Sequence, residues 1–140
     1  MGTWDIGPFD NDAAADWCGD LNDVAPEQRA GLIRTTLNAV VDTDGYLDVD
    51  LADEAIAAAA VVAAQLPGGD PITPAYAPDF LLEGGSLDVP DDVPPLAVRA
   101  LDRIVADESE WRSLWAESAK YAEIVAALQQ LRAVLDAASD

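Results

Sequence analysis

The chain contains no histidine, a single cysteine and a single lysine in 140 residues. Without histidine it lacks the usual general base at neutral pH and the commonest zinc ligand. The lone thiol, Cys18, can build neither an internal disulfide framework nor a structural zinc cluster, and it fits a reducing cytoplasm. No basic residue lies near it in sequence to lower its pKa, so a packed thiol is expected there rather than a nucleophile. Positive charge is scarce throughout, with 7 basic residues against 27 acidic ones and a net charge of −20. That balance argues against nucleic-acid binding, which needs Lys and Arg to displace phosphate counterions, and against docking on anionic membranes. The longest apolar run, Ala55–Ala64, is too short and too rich in alanine to span a bilayer. The first twenty residues are acidic and lack the basic start of a signal peptide, and Ile6 breaks the myristoylation pattern. No phosphate-binding glycine loop and no Gly-x-Ser-x-Gly elbow occur. No cofactor is implied, and carboxylates are the only abundant reactive groups.

What is present is ample core material. Hydrophobic residues make up 51% of the chain, enough for one domain spanning residues 1–140 and too much for intrinsic disorder. Two origins fit the acidity. One is a surface biased by a high-GC or salt-adapted genome; the other is electrostatic steering toward a basic partner.

Periodicity predicts helices almost everywhere. Ala13-Ala14-Ala15 propagates a first helix behind Asp10, Asn11 and Asp12, any of which can cap it, with Ala13, Trp17 and Leu21 on one face. A second helix starts near Asp23–Glu27, with Pro26 in its first turn, and carries Ala30, Ile33, Leu37, Val40 and Val41. A third, about Leu51 to Leu66, is introduced by Asp48 or Asp50 and has no polar face between Ala55 and Ala64. A helix apolar on every side should be surrounded by others, so it is expected at the centre of the bundle. Residues 68–94 form a Pro/Gly-rich loop, with a short helix possible at Asp79–Glu83. A fourth helix begins at Pro94-Pro95 and buries Leu96, Leu101, Ile104 and Val105. Ser109 caps a fifth over Glu110–Glu117, bearing Trp111 and Trp115. The last runs from about Ser118 to Ala137, aligning Tyr121, Val125, Leu128, Leu131 and Leu135, and is either continuous with the fifth or broken near Ser118. No strand and no internal repeat is predicted.

The opening stretch concentrates the unusual chemistry. Trp4 and Phe9 flank a Gly7-Pro8 turn and precede Trp17. These rings are expected to fold over the first helix and order the N-terminus; the functional alternative is an aromatic pocket ringed by Asp5 and Asp16. Trp4, Asp5, Asp16 and Trp115 are therefore the candidate binding residues, because they pair rigid aromatic surface with acids that capping does not explain. The best metal candidate is the acidic turn holding Asp42, Asp44 and Asp48 around Gly45. Aligned on that glycine as an EF-hand, the turn has Val40 at the first ligand position and Leu51 at the twelfth, so two essential ligands are missing. The alternative is a turn that caps two helices.

Gly2, Thr3, Trp4, Gly7, Phe9, Asn11, Asp12, Asp16 and Trp17 resemble the N-terminal signature of a bacterial family catalogued as domain of unknown function 4259. The Ala-rich stretch Ala55–Ala64, Ser109-Glu110 and Leu114-Trp115 extend the likeness over nearly the whole chain. The family pattern carries a glutamate where this chain has Ala60, so any role of that acid is absent here. The resemblance implies a fold and an organism class, not an activity.

These readings converge on an all-α, single-domain bundle of five or six helices with an ordered aromatic N-terminal segment. The expected function is a non-enzymatic, cytoplasmic protein-binding module. One alternative is an immunity or antidote protein masking a basic effector; another is a carboxylate-based enzyme or weak divalent-metal binder. Oligomeric state is not legible in the sequence.

Overall fold

The computed structural model describes residues 12–66 and 89–138. Over these the chain forms six α-helices: α1 (Asp12–Asp23), α2 (Arg29–Val41), α3 (Val49–Ala64), α4 (Val93–Ile104), α5 (Glu110–Ala116) and α6 (Tyr121–Ala138). A 3₁₀ turn, Pro26–Gln28, precedes α2. The second helix thus starts a few residues later than its proline suggests, because the chain tightens into the 3₁₀ turn first. The N-terminal aromatic staple and the short helix at 79–83 lie outside the described residues.

The third helix is the axis of the bundle. Ala52, Asp53, Ala55 to Ala59 and Val61 to Ala63 are all buried, and α1, α2, α4, α5 and α6 all pack against α3. Alanine brings a neighbouring helix close while losing no side-chain entropy, so a short-side-chain rod can be touched from many sides. Around it, α1 buries Ala14, Trp17, Cys18 and Leu21, the i, i+3, i+4, i+7 stripe of a one-sided helix. The expected face is therefore shifted from Ala13 to Ala14. The indole of Trp17 donates to Thr36 Oγ1 at 2.7 Å, which ties α1 to α2. Arg29 donates to the carbonyls of Leu21 and Asn22, both at 3.1 Å. It thereby supplies the positive charge that the last turn of α1 lacks.

Two loops lock together at one end. Leu47 N donates to Glu108 O at 2.8 Å, and Glu110 N donates to Leu47 O at 2.9 Å. This parallel bridge between Leu47 and Ser109 is the only β pairing among the described residues. Glu110 adds a third bond by accepting from Val49 N at 2.9 Å. Arg103 reaches across to donate to the carbonyls of Gly45 and Glu108. Each loop needs one left-handed residue to make the turn, Gly45 at φ 84° and Glu108 at φ 62°. Arg103→Ala removes the clamp but leaves the bridge, so a stability loss of about 1 kcal/mol is expected in urea unfolding. An unchanged midpoint would mean that the bridge holds the loops unaided.

Capping follows the sequence closely. Asp48 accepts from Asp50 N at 2.9 Å, and Ser109 Oγ accepts from Arg112 N at 3.3 Å. Ser109→Ala should lower stability by about 1 kcal/mol, the usual worth of a side-chain cap, as read in thermal melts. The chain breaks between α5 and α6 near Ser118, whose hydroxyl accepts from Lys120 N at 3.1 Å. Along α6 the buried residues are Ile124, Leu128 and Leu135, while Tyr121, Val125 and Leu131 are only half-buried. The expected stripe was one step out of phase at its start, because adjacent Ile124 and Val125 let the apolar pattern be read in either register.

Candidate acidic binding face

The outward side of α1 carries Asp12, Asp16 and Asp20 at four-residue spacing, all exposed, with exposed Asp23 beyond them. Such spacing stacks side chains along one helix face. The head of α3 carries Asp48, Asp50, Asp53 and Glu54. The two groups meet electrostatically: Glu54 is pushed above the usual carboxylate range by burial and by the charges of Asp50, Asp20 and Asp48.

Two of these acids have local structural reasons. Asp48 caps α3, and Asp50 lies in its first turn, where the positive end of the helix dipole favours a carboxylate. Asp53 has neither reason. It sits past that turn, is only 8% exposed, and forms no hydrogen bond or ion pair with any described residue. Burial, followed by the charges of Asp50, Glu54 and Asp48, pushes its carboxyl up to about 7. Sequence reasoning did not single out Asp53 or Glu54. The available signal was that an acid inside the body of a helix apolar on nearly every side has little water to face.

Most of the positive charge is committed elsewhere. Arg34 holds Asp92 through two bonds of 2.7 and 2.8 Å, which draws the Asp92 carboxyl below its usual range. Arg132 holds Asp102 through bonds of 2.7 and 3.2 Å. Arg112 is held by Asp107, while Arg29 and Arg103 serve backbone carbonyls. Five of the six arginines are thus engaged, and none of these contacts reaches the acids of α1 or the head of α3.

The candidate residues separate in the fold. Asp16 is exposed on α1. Trp115 is half-buried on α5, its ring centroid 6.3 Å from that of buried Trp111 at an interplanar angle of 47°. Both helices pack on α3 but make no extensive contact with one another. Trp4 and Asp5 lie outside the described residues. Asp42 and Asp44 are exposed at the end of α2 and in its turn, and Asp48 is occupied as a cap. Among the described residues no group of three or more His, Cys, Asp or Glu could hold a metal ion. Cys18 is packed in the core, and burial lifts its thiol to about 12, which disfavours the nucleophilic thiolate. No described helix is long and apolar enough to cross a membrane.

Fold and charge together define a helical bundle whose acids on α1 and at the head of α3 form no ion pair among the described residues. A family model described as a domain of unknown function (DUF4259) matches residues 2–136. The chain belongs to that bacterial family. Comparisons with curated proteins and with solved structures find no match.

Proposed function

We propose that this chain is a non-enzymatic protein-binding module of the bacterial cytoplasm. Its partner is a basic protein, docked on the acidic side of α1 and the head of α3. One observation carries the reading: the acids of this face have no cationic partners among the described contacts, while five arginines are engaged elsewhere. Exposed like charges at i, i+4 repel and weaken a helix slightly, so a positively charged surface brought against them removes a standing cost. Asp16 lies in the middle of this face. Trp115, half-buried on α5, is proposed as a separate aromatic contact away from Asp16, and Trp4 and Asp5 are further contacts to test. In its sharper form the module is an antidote that masks a basic effector.

The test is affinity capture from the source bacterium, followed by washing at low and high salt. A basic partner retained at about 0.05 M salt should be released at about 0.5 M, where exposed charges are screened within a few ångströms. Replacing Asp12, Asp16 and Asp20 together by asparagine should abolish capture. Retention that ignores both salt and this triple substitution would exclude the acidic face.

A further inference from the structure

We infer that the Asp44-Gly45 peptide is a self-modification site, where the Gly45 nitrogen closes on the Asp44 carboxyl and the chain reopens as isoaspartate. The inference is independent of the basic-partner reading. Asp44-Gly45 is the only Asp-Gly pair in the sequence. It lies in the turn between α2 and α3, outside any helix, and Asp44, Gly45 and Tyr46 are all exposed.

Ring closure needs a free nucleophile, a free carboxyl and room. Backbone amides that are hydrogen-bonded in a helix or bridge are held away from such chemistry. Gly45 N donates to no described group, whereas Thr43 N and Leu47 N on either side donate to Val40 O and Glu108 O. The Asp44 carboxyl takes part in no described hydrogen bond or ion pair, unlike that of Asp48, which caps α3. Glycine supplies the room. It has no Cβ to crowd the attacking nitrogen, and no other part of the fold lies within 4 Å of where one would stand. Nitrogen and carboxyl belong to adjacent residues, so a five-membered ring forms with most of the orienting cost already met.

The reaction balances with water alone. Gly45 N bonds to Asp44 Cγ, and the hydroxyl of the acid leaves with the amide proton as water, giving a cyclic imide. Water then adds to one of the two imide carbonyls. Addition at Cγ restores aspartate. Addition at the main-chain carbonyl carbon of Asp44 breaks the original peptide bond and routes the chain through Cβ and Cγ. The isomer has the same mass, one extra backbone methylene and a free α-carboxylate. That methylene enters just before Gly45, whose carbonyl accepts from Arg103, and two residues further on Leu47 bridges to Ser109. By anchoring Gly45, Arg103 slows the rotation at Asp44 that ring closure requires.

The test is to incubate the folded protein for weeks at mildly acidic pH beside a urea-unfolded sample. Both are then treated with a purified isoaspartyl carboxyl methyltransferase and deuterated S-adenosylmethionine, and the labelled peptides are located by mass spectrometry. In the folded protein, label should gather on the peptide holding Asp44. It should be nearly lost in Asp44→Glu, whose longer side chain must close a six-membered ring, and rise several-fold in Arg103→Ala. Label at Asp44 in the unfolded sample alone would overturn the inference, because the fold would then protect the turn. Label lying mainly on other aspartates, or surviving Asp44→Glu, would overturn it equally. An unchanged rate in Arg103→Ala would remove the restraint assigned to that residue.

Discussion

Asp53→Asn is expected to stabilise the protein far more at pH 8 than at pH 5, the difference between the two conditions reaching about 3 kcal/mol. The sign follows from linkage. The folded carboxyl titrates near 7, above its ordinary value of 3.8, so the folded chain binds more protons than the unfolded chain between those limits. Its contribution to stability is complete below pH 3.8, falls as pH rises through the interval, and is lost above about 7. From pH 5 upward, two pH units at about 1.4 kcal/mol each give the stated difference. Asparagine does not ionise, so its curve lacks this decline. Burial of its amide still costs something, which reduces the gain at pH 8 without changing the pH dependence. Urea unfolding of both proteins at the two pH values is decisive, because other titrating groups are common to both and largely cancel. Parallel pH profiles would show that Asp53 is solvated as an ordinary aspartate.

Trp111→Ala should lower stability by about 3–5 kcal/mol, as for other buried tryptophans reduced to alanine. Trp111 is 1% exposed and is the only fully buried residue of α5. A seven-residue helix is far too short to persist alone, so its fold depends on packing. Removing the indole leaves a cavity beside α3 and takes from Trp115 its aromatic neighbour. Trp115→Ala, at a half-buried position, should cost clearly less. Urea midpoints for the two variants therefore separate an anchoring role from a contact role. Equal losses would mean that Trp115 is as structural as Trp111 and would weaken its place in the proposed interface.

The two variants also mark where sequence reading succeeds and where it stops. Trp111 and Trp115 are four residues apart behind a Ser109 cap, and that spacing alone predicts a short helix with its rings on one side. Which ring would be buried was not legible, because both occupy the same helical face and only the position of α3 distinguishes them. Asp53 is the sharper case. Its burial comes from the helices gathered around α3; the apolar run that follows it from Ala55 hints at enclosure but does not record which neighbours close over it. Asp48 behaved differently. A cap is a bond between residues two positions apart, so chain order contains it.

The loop clasp extends the same point. Leu47 and Ser109 are separated by more than 60 residues; one lies in the acidic turn and the other reads as a helix cap, and nothing local pairs them. Their pairing, and the reach of Arg103 to Gly45, require α2, α3, α4 and α5 already in place. The out-of-phase start of α6 has a similar origin, since Ile124 and Val125 are equally apolar and their burial depends on where α3 and α4 lie.

Sequence by itself determined the helical class, the alanine-lined axis, the caps, the family and the excess of negative charge. Each depends on local periodicity, short-range hydrogen bonds or residue counts. Only the tertiary structure decided which acid is enclosed, which arginines are engaged and how the two loops join. Burial and charge pairing depend on distances between helices far apart in the chain, and these exist only once the helices have packed.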